Sequence, residues 1–272
     1  MLKARVLTAI PLVAIVLALV WRAPSGVLEA LFLLLALLGA WEWGRLAGLT
    51  KMPQQAVFVA VVAVVLALAM VAGVAALEGW QLPGLLWWLA IFLLLIAQSR
   101  REQPLVLARG LLLAGGVITL GLAWLGLAAI ADKAHGAFWL TALFVLVWGA
   151  DIGAYFAGRR FGRRPLALRL SPGKTWEGVI GGLALGLVLI GLWAGVGRSA
   201  LGIEFSFAWL LPVAVMVILS AVVGDLAESL LKRQSGSKDS GWILPGHGGV
   251  LDRVDALLAA APVMAAALVG LP

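Results

Sequence analysis

Long apolar runs separated by short polar breaks cover most of this chain, at roughly 6–21, 27–44, 55–77, 82–98, 110–131, 136–156, 178–197, 207–231 and 249–271. Most of them reach the ~20 residues that a helix needs to cross ~30 Å of hydrocarbon. The pattern predicts an all-α, polytopic integral membrane protein with about nine transmembrane helices. The run 82–98 is short, and the eighth and ninth runs carry charges inside them. The first run follows the basic start Met1-Leu-Lys-Ala-Arg5, and no small-residue cleavage site follows Val20, so it is expected to remain as a helix.

Composition strengthens this reading. Of 272 residues, 63% are hydrophobic and 12% are charged, and the mean hydropathy is +1.09. A soluble domain needs far less apolar surface, so the bilayer is the solvent. With no cysteine in the chain, disulfides, thiolate catalysis and cysteine-ligated metals are excluded. The net charge of +7 would suit nucleic acid or cytoplasmic loops facing anionic lipid. Placement decides between them. With a cytoplasmic N-terminus and alternating spans, 17 of the 20 basic residues fall on the cytoplasmic side. Only Arg22, Lys133 and Arg198 fall opposite, as the positive-inside rule requires, and no nucleic-acid partner is needed. No internal repeat is visible, which gives an inverted-repeat transporter no support.

The chemistry is concentrated from Ser229 to Asp255, where 27 residues hold four Lys/Arg, three Asp, one His and five Gly. Just upstream, Asp225, Glu228, Ser229 and Lys232 are spaced to share one helix face. Charges at membrane depth are costly, so they should face a wet cavity; the bland alternative is an Asp–Lys pair sealing two helices. The loop 234–241 offers Lys238 and Asp239, which alone would be an ordinary solvated loop. The glycines around His247, including Gly248 and Gly249, lead into a helix start, the arrangement of a phosphate cradle. Asp252 and Asp255 follow with Arg253 between them. Two carboxylates beside such a cradle would repel an anion unless a cation such as Mg²⁺ bridged them. The rival is a helix cap with an Asp–Arg pair. His247 could donate to phosphate or be a turn residue without a role. A second cluster runs from Asp151 to Arg164 and from Ser171 to Gly178. Most of its arginines read as topogenic. Lys174-Thr175 lacks the spacing of a P-loop, so the segment reads as a basic loop capped by Ser/Thr ahead of a helix start near Glu177. Glu42, near Arg45, is expected to be paired structurally.

These residues resemble the phosphatidate cytidylyltransferase (CDP-diacylglycerol synthase) family. Its signature is met without a gap through Ser229, Lys232, Arg233, Lys238, Asp239, Gly241, Leu244, Pro245, His247, Gly248, Gly249, Asp252, Arg253 and Asp255. DIGAYFAGRRFG and SPGKTWEG also look like family segments, with Ile152 and Gly173 as departures. The resemblance implies CMP transfer from CTP to phosphatidate, giving CDP-diacylglycerol and pyrophosphate. It also implies Mg²⁺ dependence, allows K⁺ as an accompanying cation, and suggests a homodimer in the bacterial inner membrane. On this reading Asp225 and Asp252 are the expected metal ligands, with Asp255 and Asp239 behind them. Lys174, Lys232, Arg233, Lys238 and Arg253 would hold phosphates. Gly248 and Gly249 would offer N–H groups, and Ser229 and His247 would orient oxygens. Residues 1–131 would be scaffold, dimer contact or lipid access, and 132–272 the catalytic region facing the cytoplasm. A CDP-alcohol phosphotransferase is disfavoured because its D-G-x₂-A-R run is missing. A transporter is disfavoured because bases and glycines cluster at one face.

Overall fold

The computed structural model describes residues 2–73, 79–101, 105–242 and 248–269. Among these the chain forms nine α-helices: α1 (Leu2–Arg22), α2 (Ser25–Leu46), α3 (Met52–Ala72), α4 (Gln81–Arg100), α5 (Arg109–Ala131), α6 (Gly136–Phe161), α7 (Trp176–Leu201), α8 (Phe207–Gln234) and α9 (Leu251–Ala267). Seven of them, α2 to α8, are long and apolar enough to cross a membrane. Their lipid-type faces are plain: Val57, Val61, Val64 and Leu68 on α3, Leu82, Leu86 and Leu89 on α4, and Ile180, Val188 and Leu192 on α7 are all exposed. In water such faces would be untenable; against acyl chains they cost nothing.

The helix ends follow local chemistry. Gly73, at φ +78°, ends α3 at Ala72, short of the run to 77 expected from hydropathy. The Thr175 hydroxyl accepts the Gly178 N–H at 3.1 Å and starts α7. α6 runs past the expected end at 156 to Phe161, which carries Arg159 and Arg160 out on its last turn.

α9 differs from the rest. It has 17 residues, so it spans only about 25 Å. It packs against α2, α4, α5, α6 and α8, and Ala259, Ala260, Ala261 and Met264 are wholly buried. Its neighbours replace lipid, which is why small alanines suit it better than leucines. At Gly126 on α5 an added Cβ would run into the backbone of Ala261 and Pro262, and at Gly224 on α8 into the Asp255 carbonyl. These close approaches are the small-residue packing of membrane helices.

One element departs from the all-helical expectation. Between α6 and α7, β1 (Pro165–Ala167) and β2 (Ser171–Thr175) form a two-stranded antiparallel hairpin pairing Pro165 with Thr175 and Ala167 with Ser171. A strand pair this small does not stand alone. It is anchored by Ala167 and Leu170, which pack with Leu95 of α4 and Leu226 and Leu230 of α8. That contact brings the hairpin over the polar end of α8. At the opposite end of the bundle, Trp21, Phe138, Trp139, Trp193, Phe205 and Trp209 form a linked aromatic cluster, as expected of an interfacial belt.

Candidate active site

The helical spacing of Asp225, Glu228, Ser229 and Lys232 does place them on one stretch of α8, turned toward the protein. Glu228 and Ser229 are buried, with Asp225 and Lys232 intermediate. Because Gly224 lets α9 approach to backbone contact, Asp255 enters the same space. One oxygen each from Asp225, Glu228 and Asp255 lies within 4.8 Å of the other two. Asp151, on the last turns of α6, is within electrostatic range of Asp225. Lys174 on β2 forms an ion pair with Asp225, and Asp255 also accepts the N–H of Ala256 at 2.8 Å. Glu228 Oε2 accepts from Lys232 Nζ at 2.7 Å, while Oε1 is buried without a hydrogen-bond partner. A lone buried carboxylate oxygen beside two further carboxylates is an unfavourable arrangement for a bare protein. Hard oxygen donors grouped in this way suit a divalent cation.

Asp252 is not part of that group, contrary to the expectation that it would join Asp225. Its Oδ1 accepts from Lys232 at 2.7 Å. Its Oδ2 accepts the Ser240 N–H and the Gly249 N–H, each at 2.9 Å, and lies 2.8 Å from the Ser240 hydroxyl. The physical reason is local. Asp252 sits in the first turn of α9, where the unpaired N–H groups of the helix start and the preceding loop converge on its carboxylate. Lys232 bridges Glu228 and Asp252, fastening α8 to α9. The plain reading of a lysine sealing two helices therefore describes Lys232, through Asp252 rather than Asp225.

The proposed phosphate cradle is also occupied from within. Gly249 donates to Asp252, and the next two N–H groups, of Val250 and Leu251, donate to Glu42 of α2 at 2.9 and 2.8 Å. Glu42 is only 1% exposed, and its Oε2 lies 3.0 Å from the Ser240 hydroxyl, which has one proton to share between Glu42 and Asp252. Its partners are these groups, while Arg45, one turn along α2, donates to the Ser240 carbonyl. The glycines fit this neighbour. A Cβ at Gly241 would overlap the Glu42 carboxyl, and one at Gly249 would overlap both Glu42 and the Ser240 hydroxyl. Gly248 is at φ +83°, where a side chain would be strained and would press on Asp252.

Arg233 is exposed and its Nε donates to the Leu170 carbonyl at 3.2 Å, so it helps hold the hairpin. Lys238, Asp239 and Arg253 are exposed. His247, with Leu244 and Pro245, lies outside the described residues. Sequence reasoning missed two participants. Glu42 had one usable signal, a carboxylate within an otherwise apolar run. Ser240 had none, being one serine among several in a polar loop.

A family model described as the cytidylyltransferase family matches residues 3–270. Curated relatives named phosphatidate cytidylyltransferase align along nearly the whole chain. The Pseudomonas aeruginosa protein is 43% identical over 98% of this chain and 97% of its own length. The Haemophilus influenzae protein is 38% identical over 96% of each. The Brucella suis protein is 37% identical over 97% of this chain and 92% of its own.

Proposed function

The chain belongs to the cytidylyltransferase family, and from that premise we propose that it is a phosphatidate cytidylyltransferase, working on CTP and a membrane-embedded phosphatidate. The observation that carries the reading at the level of chemistry is the group formed by Asp225, Glu228 and Asp255, with its unpartnered Glu228 Oε1, bordered by Lys174 and Lys232.

In the reaction an oxygen of the lipid phosphate forms a bond to the α-phosphorus of CTP. The bridging α–β bond breaks and pyrophosphate leaves with the electron pair. A phosphate monoester, with a second pKa near ~6, is already largely ionised at neutral pH, so no strong general base is needed. The obstacle is repulsion between two polyanions, and the solution is fixed positive charge and fixed orientation. Asp225, Glu228 and Asp255 are the residues that would hold Mg²⁺, and their hard oxygens fit it. Mg²⁺ bound there would supply charge that lets the anions approach. Lys174 reaches this group from the hairpin and is placed to exchange its carboxylate partner for a substrate phosphate. Exposed Lys238, Arg253 and Arg233 add positive charge that would draw in the nucleotide. Ser229 lines the buried side of α8. Asp252, expected at first as a metal ligand, serves here by holding Lys232 and the loop end in place.

The 17-to-3 partition of basic residues supports an active site facing the cytoplasm of an inner membrane. Nucleotide then arrives from solvent and lipid sideways between helices. Residues 132–272 supply the carboxylates and lysines of the centre, and 1–131 supply most of the surrounding bundle. The family resemblance implies a homodimer and allows K⁺ as an accompanying cation. The test is direct. Purified protein in detergent, given radiolabelled CTP, phosphatidate and Mg²⁺, is expected to form CDP-diacylglycerol and pyrophosphate. Consumption of CTP without a CDP-lipid product would overturn the reading.

A further inference from the structure

We propose that Glu42, on the second helix, is a positioning residue of the catalytic centre, setting Asp252 and through it Lys232. The inference rests on the cytidylyltransferase reading of the α8–α9 site. Three observations carry it.

The first is connectivity. Glu42 holds the α9 start through Val250 N–H and Leu251 N–H, and holds the loop through the Ser240 hydroxyl. Ser240 is 0% exposed, and its hydroxyl lies 3.0 Å from Glu42 Oε2 and 2.8 Å from Asp252 Oδ2 while receiving the Asp252 N–H at 3.2 Å. A hydroxyl has one proton to give; given to Glu42, it leaves Ser240 tied to Asp252 through its own N–H to Oδ2 at 2.9 Å and through the Asp252 N–H to Oγ, so Ser240 is the joint between the two carboxylates. From Asp252 the chain continues to Lys232 and then to Glu228, whose carboxylate belongs to the acidic group. An unbroken series of hydrogen bonds thus runs from α2 to the reaction centre.

The second is shape. Gly241 and Gly249 leave room that the Glu42 carboxyl and the Ser240 hydroxyl fill, and neither glycine tolerates a Cβ there. Part of the glycine content of the loop is therefore complementary to Glu42 and not to a phosphate.

The third is economy of anchoring. Arg45 on the same helix takes the Ser240 carbonyl. α2 therefore grips the loop at Ser240 with both residues, and at the α9 start with Glu42. The two side chains lie one turn apart, so the rigid rise of α2 sets the spacing between the grips. A loop rich in glycine and serine has little stiffness of its own and takes its geometry from what holds it.

The experiment compares wild type, Glu42→Gln, Ser240→Ala and the double variant in detergent, with turnover normalised to folded protein. Ser240→Ala cuts the joint yet leaves the Glu42 hydrogen bonds to α9, so it tests the chain even if Glu42→Gln folds poorly. Each single variant is expected to lose about 10²-fold in kcat, the scale of a small misplacement, with the KM for CTP changed less than about threefold. The double variant is expected to be no worse than the poorer single, because both interrupt one series. Wild-type kcat per folded molecule in Ser240→Ala, or losses that multiply in the double variant, would overturn the inference. A wild-type protein that makes no CDP-lipid would instead overturn the function itself.

Discussion

The two sets of carboxylates at the α8–α9 junction stand about one helical turn apart and are built in opposite ways. Around Asp252 and Glu42 the oxygens are saturated: lysine, serine and backbone N–H groups supply them with hydrogen bonds. Around Asp225, Glu228 and Asp255 three acids crowd within 4.8 Å, and one oxygen has no protein partner at all. The first group lowers the free energy of the fold, since carboxylates at a helix start are favourable. The second raises it, since like charges removed from water repel. The lesson is that hydrogen-bond satisfaction, and not residue type or motif position, separates the two kinds of acid.

The largest effect should come from the unsatisfied group. Asp255→Asn is expected to lower kcat on the order of 10³-fold, equivalent to about 4 kcal/mol of barrier. Its thermal midpoint should stay level or rise, because a repulsion is removed. A fall in both together would erase the distinction between the groups. A Mg²⁺ titration followed by thermal unfolding sharpens it further. At a hundredfold excess over Kd, binding stabilises the wild type by about 2.7 kcal/mol. Asp225→Asn should lose that increment. Asp252→Asn should keep it while starting from a fold weaker by about 2 kcal/mol, the cost of stranding buried donors. Equal Mg²⁺ shifts in both variants would break the comparison. The smallest effect concerns Lys174, which sits on the hairpin and not on either helix. Lys174→Met should raise the KM for CTP about tenfold with a lesser change in kcat, as steady-state rates across a CTP series would reveal.

Much of this was legible beforehand. The run from Ser229 to Asp255 marked out the polar cluster, and helical spacing put Asp225, Glu228, Ser229 and Lys232 together, because side chains three and four apart on a helix must share a face. Asp252 lies outside the group of Asp225, Glu228 and Asp255 for an equally physical reason. Asp252 and Asp255 are both one turn or less from the α9 start, and only the loop that folds back through Ser240 and Gly249 decides which is consumed. The hairpin was invisible because Pro165–Ala167 and Ser171–Thr175 are too short for periodicity to register.

By itself the sequence determined the solvent and the elements. Apolar length is a local sum, and it settles a helical membrane protein with a polar cluster between residues 229 and 255. It also determined which residue types gather there. What the tertiary structure alone decided is their division of labour. The bonds from Val250 and Leu251 to Glu42 join residues 208 and 209 positions apart, and the approach at Gly224 is what admits Asp255. Contacts of that range are set by how helices pack, and packing is a property of the whole bundle that no single segment encodes.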